Sequence, residues 1–472
     1  MKFSKVCSLI CSGFMAASAL AQSDSANSTS GNVPVIEIDG NAFFDSETGD
    51  RFYIRGVDYQ PGGSSNLTDP LGDVSVCSRD IPYFQELGLN TIRVYTIDNS
   101  ADHTECMKLL EEAGIYLILD LNTPGASISR ISPKCSYNAD YLQSVFATVD
   151  EFVSYNNTLG FFAGNEVINS ENTTDTAVYV KAVVRDIKKY MKARDYRAVP
   201  VGYSAADVSS NRQLAAEYFN CGDDADARID MFGVNDYSWC GQSSFKVSGY
   251  SEKMSLYKNY SIPIFLSEYG CNEVASSRPF TEVAAIYSTL MSSVFSGGLV
   301  YEYSQESNNY GLVEIDGDNV TTMTDFDNLK AQFEKVEDPS GNGGYYAGNK
   351  HSECPAYEEG VWESNSTLPD MPAAASAYFS SGAGSPMGTG IITQEMCNDD
   401  EADSEDDSSS SSSTATSSGS GSSTTGTANK ATSSASGNST SSSSTTKSKG
   451  LAGSLEIPTL MYGVVAVFSF LL

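Results

Sequence analysis

The sequence predicts an α/β fold, a (β/α)8 TIM barrel with an irregular C-terminal cap and a Ser/Thr-rich tail. Three observations carry that prediction. Short apolar runs rich in β-branched and aromatic residues alternate with segments of helical period, and eight such runs follow one another. Glycine closes the first helical segments. The turn after the first run, Asp58-Tyr59-Gln60-Pro61-Gly62-Gly63, lacks the GxGxxG order that an open doubly wound sheet, the competing fold, would use to hold phosphate.

Taken in order, Phe52–Val57 is the first strand, and Ile81, Phe84 and Leu87 mark a helix ended by Gly88. Thr91–Tyr95 is the second strand. Cys106, Leu109, Leu110 and Ala113 mark a helix closed by Gly114. Tyr116–Asp120 is the third strand, followed by a helical face of Leu142, Val145, Phe146, Val149, Phe152 and Val153. Leu159–Gly164 is the fourth, and Val180, Val183, Val184, Ile187 and Met191 form the next helical face. Val199–Tyr203, Ile229–Val234 and Ile262–Leu266 are strands five to seven. Phe280–Met291 reads as a helix and Gly298–Tyr301 as the eighth strand. Residues from about Glu337 to Thr389 are rich in Gly, Tyr and Pro without a period, and read as a cap on the barrel held by Cys354.

The two ends are different in kind. Lys2, Lys5, the apolar stretch Val6–Leu20 and the small-x-small site Ala19-Leu20-Ala21 read as a signal peptide. The segment from about Ala402 to Lys449 is Ser, Thr, Gly and Ala, too polar to offset its ordering entropy, and reads as a disordered, O-glycosylated stalk. Apolar Ile457–Leu472 after small residues at Ser448, Gly450 and Ala452 reads as a GPI-attachment signal with Gly450 as the attachment residue; a tail-anchored helix is the alternative. The expected division is therefore 1–21 signal peptide, 22–335 catalytic barrel, 336–398 cap, 399–450 acidic then Ser/Thr-rich stalk, and 451–472 attachment propeptide.

A formal charge of −32 argues against nucleic acid and against an anionic membrane surface; a neutral polymer suits it. After loss of Cys7 and Cys11, eight cysteines remain, an even set that favours disulfides in a secreted chain. With only His103 and His351 and no CxxC spacing, no metal or cofactor is expected, nor a Ser-His-Asp triad. Asn27, Asn66, Asn156, Asn172, Asn259, Asn319, Asn365 and Asn438 head N-glycosylation sequons.

Chemistry in such a barrel sits at the C-terminal ends of strands. Gly164-Asn165-Glu166 ends the fourth and Ser267-Glu268-Tyr269-Gly270 the seventh. Either glutamate alone could be a cap or a salt-bridge partner. Two facing one cleft are the equipment of glycoside chemistry, in which one acid protonates the leaving oxygen and one carboxylate attacks the anomeric carbon.

Gly56-Val57-Asp58-Tyr59-Gln60-Pro61-Gly62-Gly63, Phe161-Phe162-Ala163-Gly164-Asn165-Glu166, Asp236-Tyr237-Ser238-Trp239-Cys240, Ser267-Glu268-Tyr269-Gly270-Cys271 and Ser296-Gly297-Gly298-Leu299-Val300-Tyr301 together resemble the fungal 1,3-β-glucanosyltransferases of glycoside hydrolase family 72, from about residue 33 to 390. The resemblance implies a retaining mechanism with Glu166 as acid/base and Glu268 as nucleophile. It implies that Asn165 holds the sugar 2-hydroxyl and that Tyr237 orients the nucleophile. Gln60, Tyr95, Asp120 and Tyr301 are expected to line the sugar subsites, although barrel packing would equally account for the tyrosines. It implies disulfides Cys77–Cys106, Cys221–Cys354 and Cys240–Cys271, leaving Cys135–Cys397 by exclusion. No cysteine follows Cys397, so the chain resembles the shorter subgroup without a Cys-rich carbohydrate-binding module.

The function so implied is internal cleavage of a β-1,3-glucan and transfer of the new reducing end to the non-reducing end of another chain. The alternatives are an endo-β-1,3-glucanase on the same barrel, or a non-catalytic wall protein that binds glucan. Donor and acceptor glucans are the expected partners, with a monomer as the expected state. The expected location is the outer face of the plasma membrane or the cell wall, reached by secretion and held by the lipid anchor.

Overall fold

A computed structural model describes residues 33–63, 66–274 and 276–390. The signal peptide, stalk and anchor signal, with Asn27, Asn438, Gly450 and Cys397, lie outside the described residues. Three short antiparallel strands come first, β1 (Ile36–Asp39), β2 (Ala42–Asp45) and β3 (Arg51–Phe52). Eight parallel strands then close into a barrel: β4 (Ile54–Asp58), β5 (Thr91–Val94), β6 (Tyr116–Asp120), β7 (Thr158–Asn165), β8 (Val201–Ala206), β9 (Met231–Cys240), β10 (Ile264–Cys271) and β11 (Phe295–Val300). Each pairs with its sequence neighbours, and β11 returns to β4 with Gly297 opposite Ile54 and Val300 opposite Val57. Strands buried on both faces need near-continuous apolar runs, which is what Tyr116–Asp120 and Ile264–Leu266 supply.

The helices between strands are α1 (Val74–Leu87), α2 (Thr104–Glu112), α3 (Pro133–Ser136), α4 (Ala139–Phe152), α5 (Ala177–Ala193), α6 (Arg212–Phe219), α7 (Tyr250–Tyr257) and α8 (Val283–Ile286). Their ends follow local chemistry. Asp73 caps α1 by accepting from Ser75 N at 2.8 Å, and Gly88 ends it in the left-handed region at φ 68°. Asn138 caps α4 by accepting from Tyr141 N. Val180, Val183, Val184 and Ile187 of α5 face the strands and are fully buried.

An aromatic column fills the barrel axis. Phe43 from β2 meets Phe265 at 6.0 Å, Phe265 stacks on Phe162 at 5.9 Å, and the Arg93 guanidinium lies 4.9 Å above the Phe162 ring. The column closes the N-terminal mouth and sets Arg93 as the floor of the C-terminal one.

The helix expected over Phe280–Met291 is shorter. Only α8 and a 3₁₀ turn at Met291–Ser293 form. The Ser288 hydroxyl bonds the Ala285 carbonyl, and the buried Tyr287 turns to donate to Ile54 O at 2.8 Å, so local side-chain bonds and packing displace the ladder. After β11 come a hairpin, β12 (Val313–Asp316) and β13 (Asn319–Thr322), and helix α9 (Thr324–Phe333). Residues 337–390 then run irregularly around the barrel. Cys354 bonds Cys221 just beyond α6, and the 3₁₀ turn Ala373–Ala377 with α10 (Tyr378–Ser381) packs Phe379 against Phe146 of α4 and Tyr190 of α5. Among the described residues no helix is long and apolar enough to cross a membrane.

Candidate active site

The C-terminal ends of β7 and β10 carry Glu166 and Glu268 to one cleft. Glu268 is 7% exposed and its carboxylate is held by three donors. Tyr95 Oη donates to Oε1 at 2.8 Å, Arg93 Nη1 to Oε1 at 3.2 Å, and Tyr237 Oη to Oε2 at 2.6 Å. Burial raises the Glu268 carboxyl above the ordinary range. The Arg93 charge and both phenols pull it back, and Glu166 pushes it up.

Glu166 is half-buried and sits at φ 50°, a left-handed conformation that costs a non-glycine residue about 1 kcal/mol or more. Its backbone is pinned on both sides: its N–H donates to Ser204 O at 2.8 Å, and Arg130 Nη2 donates to its carbonyl at 2.8 Å. Its Oε1 accepts from Asn235 Nδ2 at 2.8 Å. The turn aims the side chain away from the strand direction and into the cleft.

Behind these two glutamates lies a buried charge system centred on Arg93, a residue that motif reading did not find. Arg93, in the middle of β5, is fully buried and grips both oxygens of Asp120 at 3.0 Å. It also donates to Ser267 O, and its plane lies 4.3 Å from the Tyr95 ring. Asp58 is fully buried nearby. Burial drives its carboxyl well above the usual range, only partly offset by Arg93. Burial likewise pushes Glu302 up to about 8, against a hydrogen bond from Asn308. The carboxylates in direct contact with Arg93 are Asp120 and Glu268. A charged residue inside a strand that is otherwise apolar was the available signal for Arg93.

Gln60 and Asp120 both have protein partners in the structure. Gln60 Oε1 accepts from Tyr95 N and Thr96 N at 3.1 and 3.0 Å, and its Nε2 donates to Thr68 O. Its amide therefore fixes the end of β5 and places Tyr95. Asp120 is buried, and each of its oxygens accepts one bond from Arg93. Tyr301 forms an aromatic wall with Tyr95 and Tyr237, its ring 6.5 Å from the first and 6.3 Å from the second. Tyr310 completes that wall at 5.3 Å from Tyr301 and 5.5 Å from Tyr237. Arg278, buried beneath, donates to the Tyr301 and Tyr310 carbonyls and pairs with Asp325 at 2.6 Å.

Cys240–Cys271 joins the ends of β9 and β10, just past Tyr237 and Glu268. Cys77–Cys106 ties α1 to α2. Cys135 is disulfide-bonded, and its expected partner Cys397 lies outside the described residues. Among the described residues no group of three or more His, Cys, Asp or Glu is placed to hold a metal ion.

A closed (β/α)8 barrel whose fourth and seventh strands bring two glutamates to one cleft, walled by tyrosines, belongs to the class of glycan-processing barrel enzymes. The comparisons narrow the class. The family model described as Glucanosyltransferase matches residues 25–337, and the chain belongs to that family, glycoside hydrolase family 72. It is 72% identical over 387 residues to the 1,3-beta-glucanosyltransferase GAS5 of Saccharomyces cerevisiae, covering 82% of this chain and 80% of that protein. It is 58% identical to PGA4, a 1,3-beta-glucanosyltransferase of Candida albicans, over 78% of this chain and 81% of the relative. Among solved structures, Saccharomyces cerevisiae Gas2p in complex with laminaritriose and laminaritetraose superposes with a TM-score of 0.68 at 44% identity, covering 72% of this chain and 77% of that one.

Proposed function

We propose that the chain is a retaining 1,3-β-glucanosyltransferase that cuts a β-1,3-glucan internally and rejoins the new reducing end to the non-reducing end of a second chain. The observation that carries this reading is the grip on Glu268. A carboxylate fixed on both oxygens by Arg93, Tyr95 and Tyr237 faces Glu166 across one cleft, which suits a nucleophile paired with an acid/base. The relatives, named 1,3-beta-glucanosyltransferases, supply the linkage.

In the first step a Glu268 oxygen attacks the anomeric carbon, the C1–O bond to the leaving fragment breaks, and the Glu166 proton passes to the leaving oxygen. A glycosyl ester on Glu268 results. In the second step the 3-hydroxyl of an acceptor glucan attacks C1, its proton goes to Glu166, and the ester bond breaks. One β-1,3 bond is lost and one is made. Water in place of the acceptor would give hydrolysis, so the acceptor must hold the cleft against it. Asn165 at the end of β7 is the residue proposed to hold the sugar 2-hydroxyl.

In this reading residues 1–21 direct secretion, residues 22–335 with the cap 336–398 form the catalytic unit, residues 399–450 serve as a stalk, and residues 451–472 are exchanged for a GPI anchor at Gly450. The enzyme then works as a monomer at the outer membrane face or in the wall. Acceptor sequons at Asn66, Asn172, Asn259, Asn319 and Asn365 are exposed, as N-glycosylation requires.

The test incubates the purified protein with a reduced β-1,3-glucan oligosaccharide and reads product sizes by mass spectrometry. Products longer than the starting chain, with matching shorter ones, are expected. Shorter products alone would replace transfer by hydrolysis. Glu268→Gln is expected to abolish both while leaving the thermal midpoint within a few degrees; substantial turnover by that variant would remove Glu268 as nucleophile.

A further inference from the structure

Asn235 has no part in the steps above, yet its hydrogen bonds fix it against the proposed acid/base. It is 3% exposed on β9. Its Oδ1 accepts from Ser204 Oγ at 3.0 Å and from Ser267 Oγ at 2.8 Å, which uses both lone pairs. Its Nδ2 then faces Glu166 Oε1 at 2.8 Å and Asn165 Oδ1 at 3.2 Å, one acceptor for each hydrogen. Turning the amide round would set its oxygen against the Glu166 carboxylate. Room for the arrangement comes from Gly233 on the same strand: a Cβ there would lie 2.5 Å from Ser267 Oγ. Three neighbouring strands, β8, β9 and β10, thus hold one amide against Glu166.

We propose that Asn235 is a positioning residue that makes Glu166 an oriented acid. This rests on the reading of Glu166 as acid/base. An amide N–H cannot accept a proton, so with Asn235 on Oε1 the transferable proton is carried on Oε2. When that proton leaves for the departing oxygen, the Asn235 N–H···Oε1 bond becomes charge-assisted and strengthens. The bond is therefore stronger after proton transfer than before, which is the condition for lowering the barrier. The same amide bonds Asn165, so the group proposed for the 2-hydroxyl and the acid are set by one side chain.

The consequence is specific to leaving groups. Cleavage of a glucan needs the acid, whereas departure of fluoride from a glucan-oligosaccharide fluoride does not. The full chain carrying Asn235→Ala is expected to lose about 10- to 100-fold in initial rate on the oligosaccharide. On the fluoride, release of fluoride in the first turnover, which precedes any use of Glu166 as base, should slow by less than about threefold. Asn235→Asp keeps the volume but sets a second carboxyl beside Glu166, so the two share a proton and the alkaline limb of the oligosaccharide pH–rate profile moves to higher pH. Equal losses on both donors by Asn235→Ala, or an unmoved alkaline limb in Asn235→Asp, would overturn the proposal in favour of simple packing. Glu166→Gln is run beside them. If it keeps full activity on the oligosaccharide, the acid/base reading itself fails; if it is inactive while the Asn235 variants match the parent, only the role of Asn235 fails.

Discussion

Glu268 must be buried to exclude water and ionised to attack carbon, two demands that oppose each other. Burial alone raises its proton affinity, and the opposing contributions come from Arg93, Tyr237 and Tyr95. The working pH range therefore depends on donors that a conservative substitution can remove singly. Tyr237→Phe keeps the ring and its edge contacts with Tyr301 and Tyr310 but deletes the donor to Oε2. The nucleophile must be deprotonated, so activity falls as pH drops through its pKa. Losing a donor to the ionised form raises that pKa and shifts the acid limb to higher pH, with about a tenfold rate loss on the acid side of the limb. A pH–rate profile checks this, and an unshifted acid limb would assign Tyr237 to packing alone. Glu166 and Glu268 stand out in the sequence because each follows an apolar strand run, whereas Tyr237 stands out only through the family resemblance. Asn235, Ser204 and Ser267 were not, because short polar residues on strands are common and only closure of the barrel brings these three together. The contacts of Gln60 with the Tyr95 and Thr96 amides, and of Asp120 with Arg93, were not legible, since nothing in a sequence shows which side of a guanidinium an acid occupies.

At the scale of elements, the loops before α1 and α2 and the end of α4 meet on one imidazole. His103, fully buried at the start of α2, contacts Asp69 Oδ2 through Nε2 at 2.8 Å and Glu151 Oε1 through Nδ1 at 2.9 Å, with its ring 4.6 Å from Phe152. Asp69 in turn caps the Leu71 and Gly72 amides and accepts from Asp98 N. Burial disfavours the imidazolium, but the two carboxylates outweigh it and lift the pKa to about 9. The folded pKa lies above the unfolded value of about 6.5. The stabilisation is therefore complete below about pH 6.5 and is lost as pH rises through about 9. The thermal midpoint should fall across that window, and His103→Gln should flatten the fall; an equal slope in both proteins would place the titration elsewhere. Element reading succeeded where periodicity was long, as in α4 and α5. It missed two hairpins whose signals were present: Asp39-Gly40-Asn41-Ala42 and Asp316-Gly317-Asp318-Asn319 each put glycine at positive φ in a two-residue turn. It overran at Phe280–Met291 because apolar spacing persists there after serine and tyrosine side chains have ended the helix.

For the whole molecule, two disulfides of similar entropic weight do different work. Cys221–Cys354 spans 133 residues and fastens the irregular cap to the outer shell of helices. Cys240–Cys271 spans 31 residues and joins the strand ends that bear Tyr237 and Glu268. In the chain-entropy model their loops are worth about 5 and about 4 kcal/mol, a difference too small to rank them by stability. Their positions rank them by function. Without Cys221–Cys354, the cap still has Phe379 on Phe146 and Tyr190, Gln143 Nε2 donating to Ala383 O at 2.7 Å, and the buried Trp362 against Tyr218. The double variant Cys221→Ser/Cys354→Ser should lower the thermal midpoint by roughly 5 °C or more with kcat within about twofold of the parent. Cys240→Ser/Cys271→Ser should lower the midpoint comparably, but kcat at a temperature well below both midpoints should fall about tenfold or more. The reason is geometric: the Tyr237 hydroxyl must stay within hydrogen-bond reach of Glu268, and small misplacements at a reacting centre are costly. Equal kcat losses in the two variants would show that the barrel alone holds the strand ends in register and that the second disulfide, like the first, only resists unfolding.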